Sequence, residues 1–406
     1  MNAPRIAIVH ERFTEYGGSE AVVAEFMKTW PGAPVFAPIV DEPCTLALLA
    51  AASMSAEDTG FTDTAAGERF SATSGAPTGA DQPIGTLHHT WLSRAYAATG
   101  RRSHAPLLPF VPRVLRGLPL AENYDAVVVS HHAFATQAAF ATTAPVVAYV
   151  HSPARWAWDK AFRAQEGGGP AGQLALTALG ALARHHELRA APRLAHVVAN
   201  SQAVAERVRD WWGIPASVVN PPVRVERFSP DPGIEREDFF LFAGRLVPYK
   251  RPDLAILAAQ RAGARLVILG DGRFRRQLET LAGPETTFLG PASDEVLLDM
   301  YRRCRALLMP GVEDFGIVPV EAMACGAPVL AVGEGGALDT VIPGVSGEHI
   351  AHGTDEQVIA GFARAMRAFD PADYDRETIR KHAATFAPEE FRARIAEVVS
   401  HISRSR

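Results

Sequence analysis

Short, largely apolar runs recur along this chain, each passing into a turn and then into a segment long enough for a helix. They are Arg5–Val9, Tyr124–Ser130, Pro145–Val150, Leu194–Ala199, Phe239–Ala243, Arg265–Leu269, Thr286–Gly290, Arg305–Met309 and Pro328–Val332. Strands covered on both faces read as continuous apolar runs rather than as alternations, and parallel strands need a helix-length crossover between them. The pattern therefore predicts an α/β protein with parallel sheets. A proline-rich stretch, Asn220–Gly233, interrupts the series, and a chain of 406 residues is long enough for two domains on either side of it. The boundaries read as 1–217 and 218–385. The tail from 386 to 406 carries Phe391, Ile395, Val398, Val399 and Ile402 at helical spacing, which predicts a docked amphipathic helix. Residues 51–85, rich in Ala, Ser, Thr, Gly and Asp without a period, read as a mobile surface insertion.

Bulk properties narrow the function classes. A hydrophobic content of 48% fits a core-forming globular protein, and a net charge of −5 argues against a nucleic-acid binder with a generally basic surface. Cys44, Cys304 and Cys325 show no paired spacing, which fits a reducing compartment and offers no zinc motif. The first apolar run is too short for a signal sequence, and no run approaches the ~20 residues of a membrane span. The expectation is a cytoplasmic protein, at most peripheral on the inner face of the membrane.

Chemistry concentrates where strands end. Glu313 and Glu321 are separated by seven residues, around Phe315-Gly316-Ile317 and Pro319. Proline suits a first helical turn, so Glu313 is expected on the loop and Glu321 in the opening turn of a helix that stops at Gly326. Arg245 and Lys250 flank the loop after Phe239–Ala243, where two cations could neutralise a diphosphate; a solvated turn is the alternative, and Gly244 beside Arg245 favours the diphosphate. Gly17-Gly18, between the first strand and its helix, fits either an anion site made of free amides or a tight turn. His151 stands at the carboxyl end of a strand before Ser152-Pro153, a ligand-facing position. His131-His132 and His185-His186 lack metal-ligand spacing and read as structural or surface residues. Gly333–Gly336 is a further glycine-rich strand end, whose amides could also face a phosphate. No GxGxxG follows the first strand or Arg265–Leu269, which disfavours a nicotinamide dehydrogenase. From Gly85 to Leu120 there is no acidic residue, while Arg94, Arg101, Arg102, Arg113 and Arg116 alternate with Trp91, Tyr96, Phe110 and several leucines. That run fits an interfacial patch facing anionic lipid, or a solvated basic loop whose apolar residues enter the core.

Taken in order, Gly17-Gly18, Arg245…Lys250 and Glu313…Glu321 resemble the retaining glycosyltransferases of the GT-B fold, in the group marked by an E-x7-E motif and classed as family 4. The resemblance spans nearly the whole chain apart from residues 51–85. It implies two Rossmann-like domains facing a central cleft, with the terminal helix packing back on the first. It further implies that Arg245 and Lys250 bind a donor diphosphate, Glu321 the ribose, and Glu313 hydroxyls of the transferred sugar. Phe315, Gly316 and Ile317 would lie near the donor, Gly17 and Gly18 would leave room for phosphates and acceptor, and the His151 carbonyl would lie by the anomeric carbon. His151-Ser152-Pro153…Trp158-Asp159 with Arg245–Arg251 is similar to bacterial GDP-mannose-dependent α-mannosyltransferases. Asp339 departs from the glutamate usual in the family after Gly335-Gly336. No metal or cofactor is implied, and the partners are a nucleotide-sugar donor and a carbohydrate or lipid-linked acceptor. UDP-, ADP- or dTDP-sugars, epimerisation, phosphorolysis and non-catalytic sugar-nucleotide binding are the competing readings. Asp373-Tyr374-Asp375 does not close a strand and gives little support to a metal-dependent DxD transferase.

Overall fold

The computed structural model describes residues 4–53, 86–101, 103–121, 124–166 and 169–404. Most of the stretch read as an insertion, from residue 54 to 85, lies outside these residues, as does Arg102. The described chain divides into two compact units. The first comprises Met1–Asn200, Val204–Val219 and Phe391–Arg406, and the second Ser201–Ala203 and Asn220–Glu390.

The first unit contains β1 (Ile6–His10), β2 (Arg12–Phe13), β3 (Val35–Ala37), β4 (Ile39–Val40), β5 (Leu87–His89), β6 (Ala126–His131), β7 (Val146–Val150), β8 (His196–Ala199) and β9 (Ser217–Val218). Seven of them form one sheet in the order β5-β3-β1-β6-β7-β8-β9, and β2 pairs with β4 separately. All pairings are parallel; Ile8 stands opposite Val35 on one side and Val128 on the other. The residues of β1, β6 and β7 are buried throughout, which explains why their sequences are apolar up to the polar residues that close β1 and β6. One face is covered by the helix Gly18–Thr29, through Val22, Val23 and Phe26, and by the terminal helix Pro388–Arg404, through Phe391, Ile395 and Val399. Phe391 stacks on Phe26 at 5.7 Å and meets the Tyr149 ring edge-on at 5.6 Å. Arg392 pairs with Glu25 beside this contact.

The second unit contains β10 (Phe240–Ala243), β11 (Leu266–Leu269), β12 (Thr286–Gly290), β13 (Leu307–Met309), β14 (Val329–Val332) and β15 (Gly347–Ile350), in the order β12-β11-β10-β13-β14-β15. These pairings are parallel as well. In each unit the chain builds outward to one side of its first strand and then returns to build the other side. The sheet order thus reverses between β1 and β6 in the first unit, and between β10 and β13 in the second. A crevice opens at the carboxyl ends of the strands at such a reversal, where ligands of open α/β sheets bind.

Several elements depart from the sequence reading. Strands β3, β5 and β15 were not anticipated: β3 has three residues, and β5 and β15 are edge strands whose histidines and glutamate break the apolar run. The helix after β13 is Ile317–Ala324, entered through left-handed Gly316, so Glu321 stands in its second turn rather than its first. Most apolar residues of the basic run enter the core, among them Leu92, Tyr96, Leu107, Val111 and Leu115. Trp91 and Phe110 stay exposed and meet edge-to-face at 6.2 Å, with exposed Arg94 and Arg113 nearby in sequence.

Candidate functional site

In the second unit the loops at the carboxyl ends of adjacent strands are packed against one another with almost no intervening side-chain volume. A Cβ on Gly311 would lie 2.7 Å from the Lys250 Cα, and one on Gly336 would lie 2.1 Å from the Phe315 carbonyl oxygen. Only glycine allows these approaches, which join the β10 loop to the β13 loop and the β13 loop to the β14 loop. The Gly336 amide donates to the Glu313 carbonyl at 2.9 Å. That amide, read from sequence as available to a phosphate, is therefore engaged in holding the loops together.

This packing brings Lys250 and Glu313 into contact across the reversal point. The ammonium donates to Glu313 Oε1 at 2.6 Å, and both side chains are largely buried. Burial disfavours the lysine charge, but the Glu313 carboxylate outweighs it and raises the Lys250 pKa. Tyr249, whose ring lies 5.8 Å from the ammonium, has a pKa raised by burial and by Glu313. Arg245 is exposed and hydrogen-bonds Tyr249. Arg251 anchors the loop: its backbone is left-handed, φ 55°, an uncommon state for a non-glycine residue. Its guanidinium grips the Asp355 carboxylate with bonds of 2.8 and 2.6 Å.

Glu321 has a different environment. Its Oε2 accepts from the Tyr301 hydroxyl at 3.2 Å, and burial pushes its pKa up to about 7. Tyr301 is fully buried on the helix Asp294–Arg303. Its position is an ordinary apolar one on an amphipathic helix, so nothing in the sequence distinguishes it from core.

In the first unit His151 follows β7 and belongs to a cluster built where β1 and β6 end. His151 Nε2 lies 2.8 Å from Ser130 Oγ, which lies 3.0 Å from His10 Nδ1, and His10 Nε2 lies 3.2 Å from Glu20 Oε1. The rings of His151 and His132 stack at 4.5 Å. Burial and the neighbouring His10 depress the His151 pKa to about 3, so the ring is neutral at physiological pH. Glu20 is also tied to the glycine loop: its Oε2 accepts from the Gly17 amide at 3.0 Å and from the Ser19 hydroxyl at 2.8 Å. The Gly17 amide is thus engaged within the chain, as in a tight turn, and is not one of the free amides of an anion site. Burial opposes ionisation of Glu20, but its hydrogen bonds from His10 and Ser19 prevail and bring its pKa to about 2.

His131 turns away into a buried structural cluster. It bonds Glu187, which also accepts from the Ala154 amide and the indoles of Trp158 and Trp212. The sequence reading found His151 through its strand-end position but missed His10, Ser130 and Glu20. Ser130 and His151 stand 21 residues apart, and His10 and Ser130 120. Among the described residues no group of His, Cys, Asp or Glu is arranged to hold a metal ion, and no helix is long and apolar enough to cross a membrane.

Two family models match in succession: Glycosyltransferase Family 4 over residues 73–227 and Glycosyl transferases group 1 over residues 225–381. The two matches adjoin and together run from residue 73 to residue 381. Among curated proteins it is 32% identical over 242 residues to a D-inositol 3-phosphate glycosyltransferase of Kribbella flavida, covering 51% of this chain and 54% of that protein. It is 34% identical over 191 residues to the protein so named in Mycolicibacterium smegmatis, covering 42% and 44%. The chain thus spans about half the length of the curated relatives it matches. Solved structures match over far more of the chain at low identity. The Anabaena protein HepE in complex with UDP aligns with a TM-score of 0.64 at 18% identity, covering 98% of this chain and all of that one. Sucrose-phosphate synthase from Thermosynechococcus elongatus aligns at 0.65 and 17%, covering both chains fully. The fold is GT-B, with two parallel Rossmann-like sheets.

The Glu321 environment makes a testable demand on this second domain. The folded carboxyl, at about 7, holds its proton more tightly than the unfolded one, at 4.5. Its stabilising contribution is complete below the unfolded value and is lost as pH rises through the folded one. Between about pH 5 and about pH 8 the urea midpoint of the wild type should therefore fall relative to that of Glu321→Gln, which has no proton to lose there. Parallel midpoint curves for the two proteins would show that Glu321 titrates normally.

Proposed function

We propose that this protein transfers a hexose from a nucleoside diphosphate to an acceptor hydroxyl with retention of the α configuration. The contact between Lys250 and Glu313 at the reversal point of the second sheet is the observation that supports this most directly. It sets a cation for the diphosphate beside a carboxylate for the sugar hydroxyls, the order in which those groups occur along a nucleotide sugar. Arg245, exposed on the same loop, adds a second cation for the leaving diphosphate. Glu321 holds the ribose, and the backbone of Phe315, Gly316 and Ile317 lies along the donor. In the first domain His151 serves the reacting sugar and Gly17-Gly18 the acceptor side. Departure of the diphosphate generates the positive charge on the sugar, the acceptor hydroxyl attacks from the same face, and a donor phosphate oxygen takes its proton.

The donor we assign is GDP-mannose, supported by the likeness of His151-Ser152-Pro153 and Arg245–Arg251 to GDP-mannose-dependent transferases. A UDP-sugar is the second reading, favoured because HepE has been solved with UDP-glucose. The names of the curated relatives make D-inositol 3-phosphate an acceptor to test beside glycolipid and polysaccharide precursors.

Nucleotide release measured across GDP-, UDP-, ADP- and dTDP-sugars should single out one donor, with GDP-mannose expected. With that donor, Glu313→Gln should lower turnover about 10- to 100-fold, the cost of one hydrogen bond to a charged group, and leave nucleoside diphosphate affinity nearly intact. Glu321→Ala should weaken that affinity by a similar factor. The reverse pattern would overturn this division of roles, and release from none of the donors across the acceptors would overturn the activity.

We further assign the exposed pair Trp91 and Phe110, with Arg94 and Arg113, to a contact with an anionic bilayer that presents a lipid-linked acceptor. The protein should co-sediment with vesicles containing anionic lipid and lose that binding on Trp91→Ala with Phe110→Ala. Absence of sedimentation with any vesicle would remove the membrane from the account.

A further inference from the structure

Three arginines of the first unit converge on one aromatic ring. Phe140, half-buried at the end of the 3-10 helix Ala135–Phe140, has guanidinium carbons over its ring from Arg193 at 4.5 Å, Arg116 at 4.9 Å and Arg189 at 5.5 Å. Arg116 closes the short helix Val111–Arg116, Arg189 lies in the last turn of the helix Gly169–Ala190, and Arg193 ends the turn Ala191–Arg193. A ring face attracts a cation but offers no hydrogen-bond acceptor, so it leaves the N–H edges of a guanidinium unspent. Arg189 and Arg193 are exposed, and among the described residues neither side chain makes an ion pair or a hydrogen bond. Arg116 is half-buried and held in one orientation. Its Nε and Nη2 donate to Oε1 of the fully buried Gln137 at 2.9 and 2.5 Å, and Nη2 lies 2.9 Å from His186 Nδ1. Gln137 is fixed in turn, because its Nε2 donates to the His186 carbonyl at 2.7 Å. Nη1 of Arg116 has no hydrogen-bond partner among the described residues.

No carboxylate pairs with any of the three among the described residues. Burial and the Arg189 charge together lower the Arg116 pKa, and no acid offsets them. Arg251 in the second unit shows the contrary arrangement, with Asp253 and Asp355 both paired to its guanidinium. We propose that Arg116, Arg189 and Arg193 form a binding site for a phosphoryl group, with the Phe140 ring as its platform. Converging guanidinium forks need more oxygen edges than a single carboxylate has, whereas a phosphate monoester turns terminal oxygens in several directions and brings a matching charge. The site is apart from the chemistry of transfer. The Ala195 amide donates to the Val146 carbonyl at 2.9 Å, so the chain enters β7 and β8 side by side, shortly after Phe140 and Arg193. His151 stands instead where the chain leaves β7. Guanidiniums read only the phosphoryl oxygens, so a free phosphate and a phosphatidate headgroup offer them the same chemistry. The inference does not rest on the transferase reading.

Titration calorimetry of inorganic phosphate into the full chain, with ionic strength held constant by sodium chloride, tests the site. The wild type is compared with the double variant Arg189→Gln, Arg193→Gln and with Lys250→Met, and thermal unfolding is recorded for each. Binding should be saturable, about 10- to 100-fold weaker in the double variant and unchanged in Lys250→Met. Arg193→Lys, which keeps the charge and loses the planar fork, should fall between the wild type and the double variant. Sedimentation with vesicles of phosphatidylcholine and phosphatidic acid identifies the source. Vesicle binding that is lost in the double variant, where the wild type takes up no inorganic phosphate, puts the phosphoryl group on a lipid. Saturable phosphate binding with vesicle binding unaltered in the double variant makes it a free one. Phosphate binding that vanishes in Lys250→Met and persists in the double variant belongs to the donor site and overturns the proposal. Equal behaviour of the wild type and the double variant toward both phosphate and vesicles overturns it too.

Discussion

The contact between Lys250 and Glu313 depends on backbone approaches that no side chain permits. Gly311 meets Lys250 at the level of Cα, and Gly336 meets the carbonyl of Phe315. Those approaches gather the ends of β10, β13 and β14 into one surface, and β10 and β13 flank the point where the sheet order reverses. A largely buried lysine and carboxylate at 2.6 Å are each costly to bury alone and tolerable together. The pair therefore holds each partner in place. Arg251 contributes from behind, with a left-handed backbone fixed by a two-bond grip on Asp355.

The two glutamates of the E-x7-E stretch are alike in sequence and unlike in setting. Glu313 is neutralised by an ammonium, whereas Glu321 has a tyrosine hydroxyl and a buried site that moves its ionisation to about 7. That contrast fits the proposed recognition of hydroxyls at two parts of one donor better than it fits a pair acting as acid and base. The first domain shows the same economy. Burial keeps His151 neutral, while hydrogen bonds hold Glu20, at the other end of the same series, as an anion.

Much of this was legible in the sequence because it depends on local patterns. Buried parallel strands give continuous apolar runs, so β1, β6, β7 and the inner strands of the second sheet could be read directly. Loops at their ends could be read too, and with them Arg245, Lys250, Glu313 and His151. What could not be read depends on partners far apart in the chain. Tyr301 reaches Glu321 from another helix, and His10 reaches Ser130 across 120 residues. The engaged amides of Gly17 and Gly336 show the same limit: glycine spacing marks a tight backbone but does not say what fills it. Edge strands β5 and β15 escaped because solvent exposure frees them from the apolar pattern.

The proposed transfer depends above all on Lys250 binding the donor diphosphate from its place beside Glu313. Titration calorimetry of GDP and UDP against the wild type and Lys250→Met, with thermal unfolding recorded in parallel, tests it. The expected result is one preferred nucleotide whose affinity falls about 10- to 100-fold in a variant that still folds. Equal affinity in two well-folded proteins would contradict the claim and return the Lys250–Glu313 pair to a purely structural role.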